Sequence, residues 1–382
     1  MDARIQGDAP WSARGNRAND IQALWHTALL TGARLADLNK QKASAKKWRD
    51  LAAKLKKNFV ATFWDAKKQL LADRVLKNNT RDLKVRPNQL MVLSVPFEEG
   101  LLDQKTEERV LRNAVSTLLF PYGICSLDPT HRYFHPYHHR DERWFFDAAY
   151  HNGTVWGWNA GFTISALCKH GQTEIAWELA NNLTNQILKL GCRGGMSELV
   201  EALPAGKNKI TLSGTWQQAW STSEFARNGY QDFGGFQPRL LDNTLRLKPS
   251  IPAKWKDFSA SYPFGRDGRL QVTFTRQRDK EVFLLLLEGP TQPLPIEFSV
   301  HAFGQIFGAN QEMKHGDILT ITIDAKQIAV GLNGQWVGKP AKGKKLLKSK
   351  PLTFATPPVH AKFKTMMEKD YLQRIIEAGT FE

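Results

Sequence analysis

One change of period governs what this chain can fold into. As far as about residue 230 the apolar residues recur at the three- and four-residue spacing of helices. Beyond about 245 they alternate or run together over short lengths between Gly, Asp and Asn turns. A helix buries one stripe and a strand one face, so the two regions need different partners for their apolar surfaces. The helical readings are NDIQALWHTALLTGARL at 19–35, 44–64, RPNQLMVLSVPF at 86–97, 106–119, 154–171, 173–191, and a last helix beginning near Gly214. In the first of these Asn19 or Asp20 is the expected N-cap, and Ile21, Leu24, Trp25, Ala28 and Leu35 share the expected buried face. Helices paired across long polar loops suggest a toroid of hairpins rather than a compact bundle. After the Pro-punctuated link LRLKPSIPAKW, the segments RLQVTFTR, EVFLLLLEG, IEFSVHA, ILTITID and QIAVGLNGQW read as a small antiparallel β-sandwich. A basic linker and a short helix around MMEKDYLQRIIEAG close the chain.

At 382 residues the chain has room for two domains. No apolar run approaches the roughly 20 residues of a membrane helix, and MDARIQGDAPWS has no apolar core of a signal peptide. A soluble protein of the cytoplasm, with no membrane partner, is therefore expected. Three cysteines, Cys125, Cys168 and Cys192, with no CxxC pair point to neither a disulfide framework nor a zinc site. The net charge of +16 raises the question of nucleic acid, but much of the excess sits in KKWRDLAAKLKK at 46–57 and KPAKGKKLLKSK at 339–350. The first lies on a helix whose stripe is Trp48, Leu51, Leu55, Phe59 and Phe63, which makes its lysines a solvated face. The second is a Gly/Pro/Lys linker. No nucleic-acid partner is expected.

The segment 125–154 is rich in His, acids and aromatic rings, a poor composition for a buried connector. HPYHH and HRDE lack a recognised metal spacing, so no metal and no cofactor is expected. Rings beside hydrogen-bonding side chains suit a sugar, whose apolar faces stack and whose hydroxyls need donors and acceptors. The stretch GGMSELVEALPAG adds a lone carboxylate, Glu198, beyond a run of glycines.

The order MDA, IQALWHTAL, RPNQ, LDP, YHNGTVWGW, GMSEL, QAWS resembles the C-terminal glucosidase domain of glycogen debranching enzymes, the amylo-α-1,6-glucosidases, from residue 1 to about 255. The resemblance implies a mainly α fold: part of an (α/α)6 toroid over 1–245, then the β-sandwich over 246–340 and the basic tail over 341–382. It implies inverting hydrolysis of α-1,6-linked glucose at a glycogen branch, with glycogen or a branched α-glucan oligosaccharide as partner. It assigns the general acid to Asp2 and the general base to Glu198, facing each other across one cleft. Substrate contacts are expected from Trp25, Arg86, Asn88, Asp128, His151, Asn152, Trp156, Gln217 and Trp220. SEL stands where the family has PEL, and Glu224 in QAWSTSEF is a rival base. The resembled domain has helices ahead of its catalytic aspartate, so a missing N-terminal portion of the same enzyme is an expected partner, and the chain alone is expected to be inactive. The alternatives are another toroid glycosidase or phosphorylase, trehalase-like or rhamnosidase-like, and a non-catalytic carbohydrate-binding remnant.

Overall fold

The computed structural model describes residues 12–15, 17–96, 99–138, 146–203, 210–346 and 349–357. They form two compact units. The first takes the described residues up to His170 together with 178–225 and 352–357; the second takes 171–177, 226–346 and 349–351.

In the first unit, α1 (Asn19–Leu38) and α2 (Lys42–Phe63) pack as a hairpin. The face α1 buries is not the expected one. Ala23, His26, Leu29, Ala33 and Ala36 are buried, whereas Ile21, Leu24, Trp25 and Leu35 are 43–54% exposed. Small residues decide this. Ala45 and Ala52 are buried on α2, and the Trp48 ring lies 3.1 Å from where a Cβ on Gly32 would stand, so the helices meet on their alanine and glycine faces. The expected cap is corrected too. Ala18 occupies the N-cap position, while the Asn19 side chain donates to the Ala72 carbonyl at 2.9 Å and Asp20 pairs with Arg14.

The other helices are α3 (Asn88–Ser94), α4 (Gln104–Leu118), α5 (Phe146–Tyr150), α6 (Asn159–Lys169), α7 (Thr173–Lys189) and α8 (Ala219–Arg227), the last continuing as a π-turn over Asn228–Phe233. Asp103 caps α4 by accepting from the Thr106 amide at 2.9 Å. The short α3 packs on α1, α4 and α6.

The expectation of a mainly α chain on a partial (α/α)6 toroid is overturned: of the described residues 35% are helix and 27% strand. The connections between helices close as antiparallel ladders of two residues each. Trp64–Asp65 pairs with Leu70–Leu71, Arg74–Val75 with Arg81–Asp82, and Leu119–Phe120 with Gly123–Ile124. Expected helices shrink to make room. The 86–97 stretch is helical over only Asn88–Ser94, and 154–171 opens as strand Val155–Trp156.

The second unit holds most of the strand. Six antiparallel strands run in the order Asp257–Phe264, Gly268–Arg276, Lys280–Glu288, Ile318–Asp324, Ile328–Leu332, Gln335–Trp336. The other sheet orders Phe236–Arg239, Thr244–Leu247, Leu294–Ala302, Gln305–Met313, Lys344–Lys345, and its pairing of Thr244–Leu247 with Leu294–Ala302 is parallel. The two sheets share one core. Phe283 of the first, packed against Phe274, meets Phe298 of the second with ring centroids 5.0 Å apart. Among the described residues no helix is long and apolar enough to cross a membrane.

Buried titratable groups give the first unit an acid dependence. Burial pulls His135 down to about 4. Burial would raise Asp82, but Lys84 at 2.6 Å and Arg74 at 3.0 Å bring it to about 2. A histidine held below 6.5 destabilises the fold as pH falls from 6.5 toward 4, because only the unfolded chain takes up its proton. A carboxylate held below 3.8 contributes stability present above that value and lost as pH falls toward 2. Urea midpoints measured against pH are thus expected to fall in two stages, with Asp82→Asn removing the lower one. A midpoint independent of pH between 6.5 and 2 would contradict this assignment.

Candidate active site

A three-stranded antiparallel ladder, Val155–Trp156 with Leu199–Val200 and then Leu212–Ser213, fixes the backbone around Glu198. Glu198 stands one residue before the middle strand and extends the ladder on both sides. Its amide donates to the Thr215 carbonyl at 3.0 Å and its carbonyl accepts from the Gly157 amide at 3.3 Å. The carboxylate, 8% exposed, has a donor on each oxygen. Tyr150 Oη donates to Oε1, and the Thr215 amide donates to Oε2 at 3.0 Å. Gly214 makes the second bond available. It sits at φ +70°, and a Cβ there would stand 2.6 Å from Oε2, so a side chain is excluded by both strain and contact.

Tyr150 ends α5, and its carbonyl accepts from the Trp156 indole N–H at 2.7 Å and the Thr154 hydroxyl at 2.9 Å. The orphan carbonyl of a helix end thereby finds donors, and the phenol is held in place. Rings continue outward from it. Tyr150 meets Trp156 edge-on at 4.5 Å, the His151 ring stacks on Trp156 at 5.3 Å, and Trp220 in the first turn of α8 meets Trp156 at 6.1 Å and Trp158 at 5.2 Å. Trp220 is 47% exposed, which leaves the wall a face open to solvent. On the other side His138 lies 5.2 Å from the Tyr150 ring, with Nδ1 2.9 Å from the Ser213 hydroxyl and its amide donating to the buried Glu201 carboxylate at 2.6 Å.

The sequence candidates separate into groups. Glu198, His151, Trp156 and Trp220 come together, and Gln217 packs on Gly195 in the irregular stretch that leads to Glu198. Arg86, Asn88 and Asn152 belong to a buried polar network. Arg86 donates to the Ser126 carbonyl at 3.0 Å, to the His151 carbonyl and to Asn152 Oδ1 at 2.7 Å, and lies 3.8 Å from Asp73, which also accepts from Asn88 at 3.2 Å. Asp128 closes a turn, accepting from the Thr130 amide and hydroxyl at 2.8 Å each. Trp25 stands on the exposed stripe of α1. Glu224 lies over α6, where a Cβ on Gly161 would meet its Oε2 at 2.3 Å. Asp2 lies outside the described residues. Sequence reasoning missed Tyr150, Thr215 and His138. Tyr150 begins the YHNGTVW motif and was within reach, whereas Thr215 acts through its backbone and leaves no signature. Among the described residues no cluster of three or more His, Cys, Asp or Glu is placed to hold a metal.

Residues 1–227 match the family described as amylo-alpha-1,6-glucosidase. The chain belongs to that family. An amylo-alpha-1,6-glucosidase is a glycosidase by name. The fold resembles that of a sialidase (14% identity, TM-score 0.51, covering 91% of this chain and 27% of that one) and of a GH78 family rhamnosidase of Bacillus sp. GL1 (15% identity, TM-score 0.51, covering 77% and 27%). The chain thus spans about 27% of the length of these solved structures. No curated protein sequence matches it.

Tyr150→Phe keeps the ring against Trp156 and removes only the donor to Glu198. A hydrogen bond to a charged group contributes about 1.5–3 kcal/mol. A loss of unfolding free energy in that range is expected in urea titration at neutral pH. An unchanged midpoint would mean that the bond carries no load.

Proposed function

We propose that this chain carries the general base and part of the sugar wall of an inverting glycosidase that releases α-1,6-linked glucose from a trimmed branch of an α-glucan. The observation that carries the reading is the Glu198 carboxylate, restrained by Tyr150 and the Thr215 amide next to rings open to solvent on Trp220. In this mechanism a glucose ring stacks on the wall. An acid protonates the glycosidic oxygen while Glu198 takes a proton from a water that attacks the anomeric carbon on the opposite face. The C–O bond breaks as the new one forms, so the α-linkage yields β-glucose. The resemblance gives the acid to Asp2, at a carboxyl separation of roughly 6.5–9.5 Å for an inverting pair.

The reading includes a protein partner. Ile21, Leu24, Trp25 and Leu35 expose an apolar stripe at helical spacing, the surface that an amphipathic helix covers. We assign it to further helices of the same enzyme. Glycogen and its limit dextrins are the substrates, and the cytoplasm is the compartment in which they are met.

The test is glucose release from a branched limit dextrin, with the anomer read by proton NMR at early times. Little release is expected from the chain alone, and β-glucose when a polypeptide supplying the upstream helices is added. In that active mixture Glu198→Gln is expected to lower turnover by about 10²–10⁴-fold with binding largely kept, and Glu224→Gln to be mild. Near-normal turnover by Glu198→Gln, or α-glucose as the first product, would overturn the reading.

A further inference from the structure

The outward face of the six-stranded sheet carries a large ring that no packing accounts for. Trp336 is 69% exposed. The register sets it opposite Gly331, and Gly331 opposite Thr320, while Thr322 faces Ala329 in the next row. Successive side chains alternate faces, so these residues share the solvent side while Leu319, Ile321, Ile323 and Ile328 fill the core. A Cβ on Gly331 would stand 3.6 Å from the indole, so the ring sits against this strand position while most of its surface stays open to solvent.

Beside the ring is a cavity of about 480 Å³ lined by Thr322, Asp324, Gln327, Ala329, Trp336 and Pro340. Its polar groups are available. Asp324 Oδ1 accepts from the Lys326 and Gln327 amides at 2.7 and 2.9 Å, and among the described residues its Oδ2 has no partner. Nor do the Thr322 hydroxyl and the Gln327 side-chain amide. A flat apolar surface flanked by a hydroxyl, an amide and a carboxylate matches the amphipathic surface of a neutral sugar, whose C–H face stacks while its hydroxyls donate and accept. The carboxylate disfavours a phosphate-bearing ligand, and a concave polar flank suits a slender chain better than a flat protein surface.

We propose that the second unit carries a glucan-binding platform built on Trp336, with Thr322, Asp324 and Gln327 taking hydroxyls of a short α-glucan segment. The ligand class rests on the glycosidase reading; the platform itself rests on the exposed ring and on the cavity beside it with its available polar groups. It gives the chain a second hold on a polymeric substrate, in a unit that does not contain Glu198.

The experiment is affinity electrophoresis of the full chain through glycogen-containing gels, with calorimetric titration by maltoheptaose. A Trp220→Ala background removes the sugar wall near Glu198. Trp336→Ala is expected to weaken glucan binding on the order of tenfold, the scale of one aromatic stacking contact, with Gln327→Ala intermediate and Trp336→Phe close to the parent. Circular dichroism checks folding, and Gln327→Ala carries the test should Trp336→Ala unfold. Retained binding by both Trp336→Ala and Gln327→Ala, or no retardation of the parent, would overturn the platform. So would a Trp336-dependent dimer seen by light scattering without any effect on glucan, which would make this face a protein interface. Trp336-dependent retardation with no glucose release in any mixture would sink only the catalytic reading.

Discussion

A guanidinium removed from water has to meet acceptors and negative charge at once, and Arg86 is where the first unit satisfies that demand. It is 6% exposed, and its donors reach the carbonyls of Ser126 and His151, the Asn152 side chain and the vicinity of Asp73. Removing one partner of such a buried set costs about 3–5 kcal/mol, because the rest are left uncompensated. Three separated pieces of chain are thereby fixed together: the turn before α3, the strand end near Ser126 and the segment 151–152. Asn152 ties in a fourth, since its Oδ1 also accepts from Ser12 at 2.7 Å. The residue next to His151 is Tyr150, so the position of the phenol that holds Glu198 follows from where Arg86 puts its neighbours.

Rigidity at Glu198 therefore has two sources of different kind. From one side the carboxylate is held by the phenol of Tyr150, whose backbone carbonyl accepts from Trp156 and Thr154. From the other it is held by a backbone amide that approaches only because Gly214 has no side chain. A ladder of two-residue strands would be a weak support alone. Here the stacked and edge-on rings of Tyr150, His151 and Trp156 brace the same strands, and the outermost ring, Trp220, remains open. Positioning and access are thus divided between different side chains of one aromatic cluster.

The change of period near 245 was legible because long strands with buried alternate residues write a two-residue pattern into the sequence, as in ILTITID, where Leu319, Ile321 and Ile323 are buried. The helices α1 and α2 were legible as helices, and the α2 stripe is buried at Phe59 and Phe63, but the buried face of α1 was not legible. A bulky stripe is the louder signal, while α1 buries Ala23, Ala33 and Ala36, small residues that a hydrophobicity pattern underweights, and meets α2 where Trp48 lies against Gly32. The short ladders between helices were invisible, since two residues cannot establish a period, and they are part of why a mainly α reading failed. At the candidate site, motif order names Glu198, His151, Trp156 and Trp220, which the structure brings together. It does not name the donor from Thr215, because a backbone amide has no residue type.

Motif membership also turns out to mix two physical roles. RPNQ and YHNGTVWGW both entered the reading as sugar-contacting residues, yet the donors of Arg86 are engaged by backbone carbonyls and Asn152, and Asn152 Oδ1 accepts from Ser12 and Arg86. Within the second motif the rings face the wall while the amide faces the scaffold. Such a division follows from chemistry. A polar group that stacks nothing and sits 2% exposed must be satisfied inside the protein, whereas an indole has a flat face to offer as soon as one side of it is uncovered. A residue can therefore belong to a sugar-active motif by building the wall or by holding it upright, and burial with saturated hydrogen bonds is the observation that separates the two.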